Sequence, residues 1–168
     1  MSLSELKSIA ANCLDETIRM SAIIDNLLLL ARADAGQDVI KREPVDLQKL
    51  VRETYDESVI LASQKSITVT LQETQEATVL GDEQRIRQML LNLIDNAIKY
   101  NRINGTIDIN LLRENGVGRI RIADTGIGIP ESQIARIFDR FYRVDRARSR
   151  ALGGSGLGLS IAQWIVQA

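Results

Sequence analysis

The 168-residue chain contains no histidine. Imidazole general-base catalysis, imidazole metal ligation and phosphorylation of a histidine are therefore excluded within it. Its single cysteine, Cys13, cannot close an intrachain disulfide or build the usual thiolate zinc site, so a reducing compartment is the default. Long apolar runs are missing too. AIIDNLLLLA is interrupted by Asp25 and Asn26 and falls well short of the roughly 20 residues a bilayer requires. No basic start followed by an apolar stretch marks a signal peptide. The net charge of −1 argues against a general nucleic-acid binder, which would carry a basic excess.

What is present describes a core-forming protein. Apolar residues make up 45% and charged ones 26%, the balance of a soluble fold and not of a disordered chain. The length suits one ordinary domain plus an appendage.

Residues 5 to 35 predict one long helix. Leu6, Cys13, Met20 and Leu27 recur at heptad spacing, with Ile9, Ile23 and Leu30 at +3 and Ala10, Ile24 and Ala31 at +4. That stripe is wider than a two-stranded coiled-coil seam and suits a helix in a bundle. Such a rod is about 45 Å long, and nothing nearby in sequence is long enough to cover it, so a partner helix or second subunit is expected. Gly36 is the predicted C-cap. A polar stretch, GQDVIKREP, links this helix to the rest. Asp46 caps a second helix to about Ser63, with Leu47, Leu50, Val51 and Leu61 apolar. ITVTLQ alternates as a half-buried strand, TVL is a short strand, and a third helix runs from about Glu83 to Lys99. TIDINLL and GRIRIA alternate around Asn115-Gly116, which predicts an antiparallel hairpin. A short helix near 131–137, an arginine-rich loop and a last helix from about Gly156 complete an α+β order, helices on one face of a sheet.

Four stretches carry candidate chemistry. In DEQRIRQMLLNLIDNAIKYN, the apolar residues Ile86, Met89, Leu90, Leu93, Ile94 and Ala97 share one face, while Asn92, Asn96 and Lys99 cluster on another. Asparagine costs a helix about half a kcal/mol against alanine, so two at i, i+4 invite a reason. An amide oxygen is a hard, neutral ligand able to complete a Mg²⁺ shell shared with phosphates; the plain alternative is a solvated face. In DTGIGIP, Asp124 ends a strand, and its carboxylate can accept a hydrogen bond from an exocyclic amine. Gly126 and Gly128 would let a flat ring approach the backbone. That combination would select adenine over guanine; the alternative is a tight turn with a capping aspartate. GGSGLGLSIAQW places Gly153, Gly154, Gly156 and Gly158 at a helix entry, where free N–H groups and the helix dipole cradle phosphate. It is neither a Walker A loop nor the dinucleotide fingerprint, and a flexible hinge is the alternative. IFDRFYRVDRARSR contains both phenylalanines of the chain, Phe138 and Phe141, followed by Arg143, Arg146, Arg148 and Arg150. Such a loop is either a lid over phosphates or a solvated charged loop.

In this order and spacing the stretches resemble the ATP-binding domain of bacterial two-component sensor histidine kinases, in the superfamily shared with DNA gyrase, MutL and a heat-shock chaperone. NLIDNAIKYN resembles the N box, DTGIGIP the first glycine box, IFDRFYRVD the F box and GGSGLGLSI the second glycine box. The helix ending in LLLLARADAG resembles the second helix of the dimerisation and phosphotransfer hairpin. The resemblance implies a Bergerat-type ATP-binding sandwich at 39–168, preceded by a partial bundle helix at 1–38. It implies ATP and Mg²⁺ as cofactors, with Asn96 the metal ligand, Asn96 and Lys99 the catalytic pair, and Asn92 supporting the phosphate site. Lys99 and Tyr100 would line the pocket and Asp124 would bind the adenine amine. Gly126 and Gly128 would flank the base, and Gly154, Gly156 and Gly158 would hold the phosphates. Ile129, Phe141, Arg143, Ser155, Leu157 and Leu159 are implied as further nucleotide contacts. The implied partners are a second copy, through a four-helix bundle, and a response regulator.

The acceptor histidine's helix and the family's last pair of strands are not among these residues. The expectation is thus a fragment, the cytoplasmic part of an inner-membrane sensor, unable to autophosphorylate alone. A nucleotide-responsive module without transfer activity, or another ATPase or protein-serine kinase of the superfamily, are the alternatives.

Overall fold

A computed structural model describes residues 2–37, 40–145 and 154–168. Helix α1 (Leu3–Asp34) opens the chain, within two residues of the predicted span at each end. Ser2 caps it through a capping box, its hydroxyl accepting from the Glu5 N–H while the Glu5 carboxylate accepts from the Ser2 N–H. At the other end Ala35 is the C-cap, and Gly36, with φ of +64°, sits one residue beyond. Gly36 N–H donates to Ala33 O and Gln37 N–H to Arg32 O, the two bonds of a Schellman motif. Leu29 and Leu30 of α1 are buried, whereas Leu6, Ile9, Leu14, Ile18, Met20 and Ile24 lie exposed.

The polar link predicted after α1 holds a strand instead, β1 (Glu43–Asp46). It pairs antiparallel with β3 (Thr78–Gly81), setting Val45 opposite Val79. Helix α2 (Leu47–Ser63) follows, with Asp46 Oδ1 accepting from Lys49 N–H at 3.0 Å. It buries Leu47, Leu50, Val51, Thr54, Ser58 and Ala62, one helical stripe. Leu61 falls off that stripe and is exposed; Ala62 takes the inward position. Helix α3 (Glu83–Lys99) is capped in the same way by Asp82 and buries Leu90, Ile94, Ala97 and Ile98.

The main sheet has the order β2-β4-β5. Strand β2 (Thr68–Thr74) runs parallel to β4 (Thr106–Glu114), and β5 (Val117–Asp124) returns antiparallel to it. The β4–β5 turn is Asn115-Gly116, both with positive φ, as a two-residue primed turn requires. Ile107, Ile109 and Leu111 point to one face and meet α2 and α3. The result is the predicted α+β sandwich with its helices on one face. Helix α4 (Glu131–Ile134) is shorter than predicted; the chain continues as tight turns, with Asp139 N–H donating to Arg136 O.

Helix α5 (Gly158–Gln167) packs beside α3 and against the end of α1. Leu29 and Leu30 meet Leu157 and Ile161, flanked by Ile23, Trp164 and Ile165. The Arg85 guanidinium lies 5.8 Å from the Trp164 ring centroid, and both guanidinium nitrogens of Arg140 sit 2.6 Å from the Asp34 carboxylate. No helix among the described residues is long and apolar enough to cross a membrane.

Candidate functional site

Helix α3 is the spine of the site. With Leu90, Ile94, Ala97 and Ile98 turned into the core, Asn92 and Asn96 fall on its flank, both half-buried. Asn92 Nδ2 is fully enclosed and has no hydrogen-bond partner among the described residues. A buried donor left so costs about 1–3 kcal/mol, and a native fold tolerates it where a ligand completes it. Lys99 does not point free: its Nζ lies 2.6 Å from Asp95 Oδ2 one turn back. Asp95 was missing from the sequence argument, although i, i+4 spacing makes it the obvious partner. Tyr100 N–H donates to Asn96 O, closing the helix.

The loop after β5 is fastened to the end of this spine. Asp124 Oδ1 accepts from Gly126 N–H at 2.8 Å, so the carboxylate does cap its own turn. Its second oxygen accepts no hydrogen bond among the described residues and is exposed. A β carbon on Gly126 would stand 2.5 Å from Tyr100 O and 2.6 Å from Asp124 Oδ1, so no side chain fits there. Ile127 N–H donates to Tyr100 O at 3.1 Å. Gly128 has φ of +70° with open space around it, and Ile129 is exposed. Asn101, Thr106 and Thr125, none of them singled out by sequence, knit the base of the loop. Asn101 Nδ2 donates to Thr106 O at 3.1 Å, Thr125 Oγ1 donates to Asn101 Oδ1 at 3.3 Å, and Thr106 N–H donates to Thr125 Oγ1 at 2.8 Å. Such a network has no periodicity and leaves no mark in sequence.

At the other end, the second glycine stretch meets α3. The β-carbon position of Gly158 lies 3.6 Å from the amide carbon and oxygen of Asn92, which sets the start of α5 beside that side chain. Gly156 has φ of +76°, and a β carbon there would approach the Phe141 backbone to 2.9 Å. Phe141, itself at φ +62°, donates its N–H to Gly156 O. Gly154, Ser155 and Leu159 are half-buried. The Leu157 side chain is wholly buried against α1, and its N–H donates to Ser155 Oγ, so its side chain faces the core and not the cleft. Arg143 is half-buried with its Nε enclosed and unpartnered. The Arg136 guanidinium stacks 4.3 Å from the Tyr142 ring. Arg146, Arg148, Arg150 and Gly153 lie outside the described residues.

Asn92, with its buried donor unpartnered, thus stands at the α5 end and the Asp124 carboxylate at the α3 C-terminal end, and Arg143 Nε is a second buried donor without a partner. Donors at one end suit phosphate oxygens and an acceptor at the other suits a base amine, so the residues fit a nucleotide. Among the described residues no group of three or more Cys, Asp or Glu side chains could hold a metal unaided. A divalent ion here would need an amide such as Asn96 together with oxygens from its ligand.

Comparison with known proteins agrees with this arrangement. Residues 81–168, over half the chain, match the family described as histidine kinase-, DNA gyrase B- and HSP90-like ATPase. The sensor protein kinase WalK of Staphylococcus epidermidis is 36% identical over 158 residues, covering 92% of this chain and 25% of that protein. The chain therefore spans about a quarter of the length of that curated relative. Among solved structures, full-length ShkA in complex with AMPPNP superposes with a TM-score of 0.82 at 28% identity, over 97% of this chain and 34% of that one. A mycobacterial sensor histidine kinase, MprB, gives 0.65 at 29% identity, over 75% and 78%. The chain belongs to the histidine kinase-, DNA gyrase B- and HSP90-like ATPases, and within them it carries an ATP-binding domain of the sensor-histidine-kinase kind.

Proposed function

We propose that this chain binds Mg·ATP and presents the γ-phosphoryl group to a histidine outside these residues, as the catalytic part of a sensor histidine kinase. The observation that carries the reading is the Asn92 side chain, its buried Nδ2 unpartnered, beside the start of α5, on the same helix whose far end holds the Asp124 loop. Asp124 accepts from the adenine amine, Gly126 lets its loop pack against Tyr100 O, and Gly128 and Ile129 border the base. Asn92, Arg143 and the N–H groups of Gly154, Gly156 and Gly158 take the phosphate oxygens. Asn96 is the residue that would ligate Mg²⁺, which when bound neutralises phosphate charge. Lys99 exchanges its Asp95 partner for phosphate. The chemistry asked of these residues is positioning and charge neutralisation.

Residues 1–38 and 39–168 form the bundle helix and the catalytic unit in this reading. The exposed stripe of Leu6, Ile9, Met20 and Ile24 supports a homodimer through a helical bundle, in a parent protein that signals to a response regulator from the cytoplasmic side of a membrane. Calorimetric titration with ATP, with and without Mg²⁺, tests the core of it. Asp124→Asn should weaken ATP binding about ten- to a hundredfold, the worth of one charge-assisted hydrogen bond, and Asn96→Ala should abolish the Mg²⁺ dependence. Wild-type affinity in Asp124→Asn would sink the reading.

A further inference from the structure

We infer that Asn101 and Thr125 are positioning residues: as a clamp between the end of α3 and the start of β4, they set the Asp124 carboxylate for the base. The inference rests on the assignment of Asp124 above and goes beyond it, because the side chains of both residues are engaged with Thr106 and with each other. Asp124 is the last residue of β5, an edge strand, and the loop that follows has glycines at 126 and 128. Ordering such backbone on binding costs conformational entropy at every residue fixed. The structure orders it beforehand at two points either side of Gly126.

Before the glycine, Thr125 N–H donates to Thr106 O at 3.2 Å while its hydroxyl accepts from Thr106 N–H at 2.8 Å and donates to Asn101 Oδ1. Beyond it, Ile127 N–H donates to Tyr100 O. Tyr100 and Asn101 are consecutive, so the loop is pinned to one end of one helix. Asn101 completes the triangle by donating to Thr106 O. Gly105 provides independent support: its missing side chain is where the Asn101 amide oxygen lies, and a β carbon would also come within 2.9 Å of Thr125 Oγ1. The amide is wedged into a place shaped for it. Since Asn92 and Asn96 sit on the same helix, the clamp fixes the distance between the base-reading carboxylate and the phosphate end.

The test compares ATP with purine riboside triphosphate, which lacks the 6-amine, on wild type, Thr125→Val, Thr125→Ser, Asn101→Ala and Asp124→Asn, with a thermal melt of each. Thr125→Val and Asn101→Ala should weaken ATP about tenfold and the analogue less than about twofold, collapsing the preference for the amine. Thr125→Ser, which keeps the hydroxyl, should restore it. A purely structural role would weaken both nucleotides alike or lower the melt alone, and either result overturns the clamp. So does a Thr125→Val variant with wild-type discrimination while Asp124→Asn has lost it. If Asp124→Asn itself still discriminates, the assignment of Asp124 fails and the clamp falls with it.

Discussion

In the sandwich, Leu50, Val51, Leu90, Ile107, Ile109 and Leu111 are drawn from three elements, α2, α3 and β4, and each is at most 2% exposed. The contact between α1 and α5 rests on four buried residues, Leu29, Leu30, Leu157 and Ile161, flanked by Ile23, at the tip of a helix most of whose other apolar side chains face outward. Burial of a leucine or isoleucine is worth about 1.5–3 kcal/mol. The sandwich therefore holds many such contributions in mutual contact, while α1 is held by a handful plus one exposed ion pair and the hydrogen bond from Gln88 Nε2 to Asn26 Oδ1. The difference separates two levels of stability within one chain: a sandwich with a core of its own and a helix that docks beside it.

The largest expected effect comes from the sandwich. Ile109→Ala should cost about 2–5 kcal/mol, and urea denaturation should show ATP binding lost along the same transition. Leu30→Ala should remove about 2–3 kcal/mol from the docking of α1, releasing the amides of its last turns to hydrogen exchange while the sandwich melts near its wild-type temperature. An equal fall in melting temperature for both variants would break the comparison and make the two clusters one cooperative unit. The smallest effect sharpens it. The hydrogen bonds from Arg140 hold the Asp34 carboxyl below its ordinary value, aided by the guanidinium's charge and opposed by slight desolvation. A carboxylate so lowered stabilises the docked state above its ordinary pKa, and the contribution is lost as pH falls through the depressed value. Protection of the α1 C-terminus should therefore weaken below about pH 4 and in high salt. Asp34→Asn should flatten both responses.

What was legible in sequence is what repeats or caps. The heptads of α1, the aspartates at 46 and 82, and Asn115-Gly116 each act over a few residues, and each element they mark appears within a residue or two of its predicted bounds. Strand β1 escaped because four residues with one inward side chain, Val45, carry no alternation, and its partner β3 lies far along the chain. The parallel pairing of β2 with β4 has no local signal either. Around the candidate site, motif spacing singles out Asn92, Asp124 and Gly156, whereas the Asn101–Thr125 network exists only once the elements meet. The burial of Leu157 depends on α1 folding back onto α5, which no stretch of either announces.

The bond from Phe141 to Gly156 has a further consequence. It brings both ends of the stretch from Tyr142 to Ser155 together whatever lies between. Loop-closure entropy grows only with the logarithm of length, about 0.6 kcal/mol for each doubling. A change in the length between the two anchors thus adds little to the cost of closure, whereas Gly156 itself cannot be exchanged, since a β carbon there has nowhere to go. The fold keeps a part of itself open to retuning by fixing the two residues at its mouth.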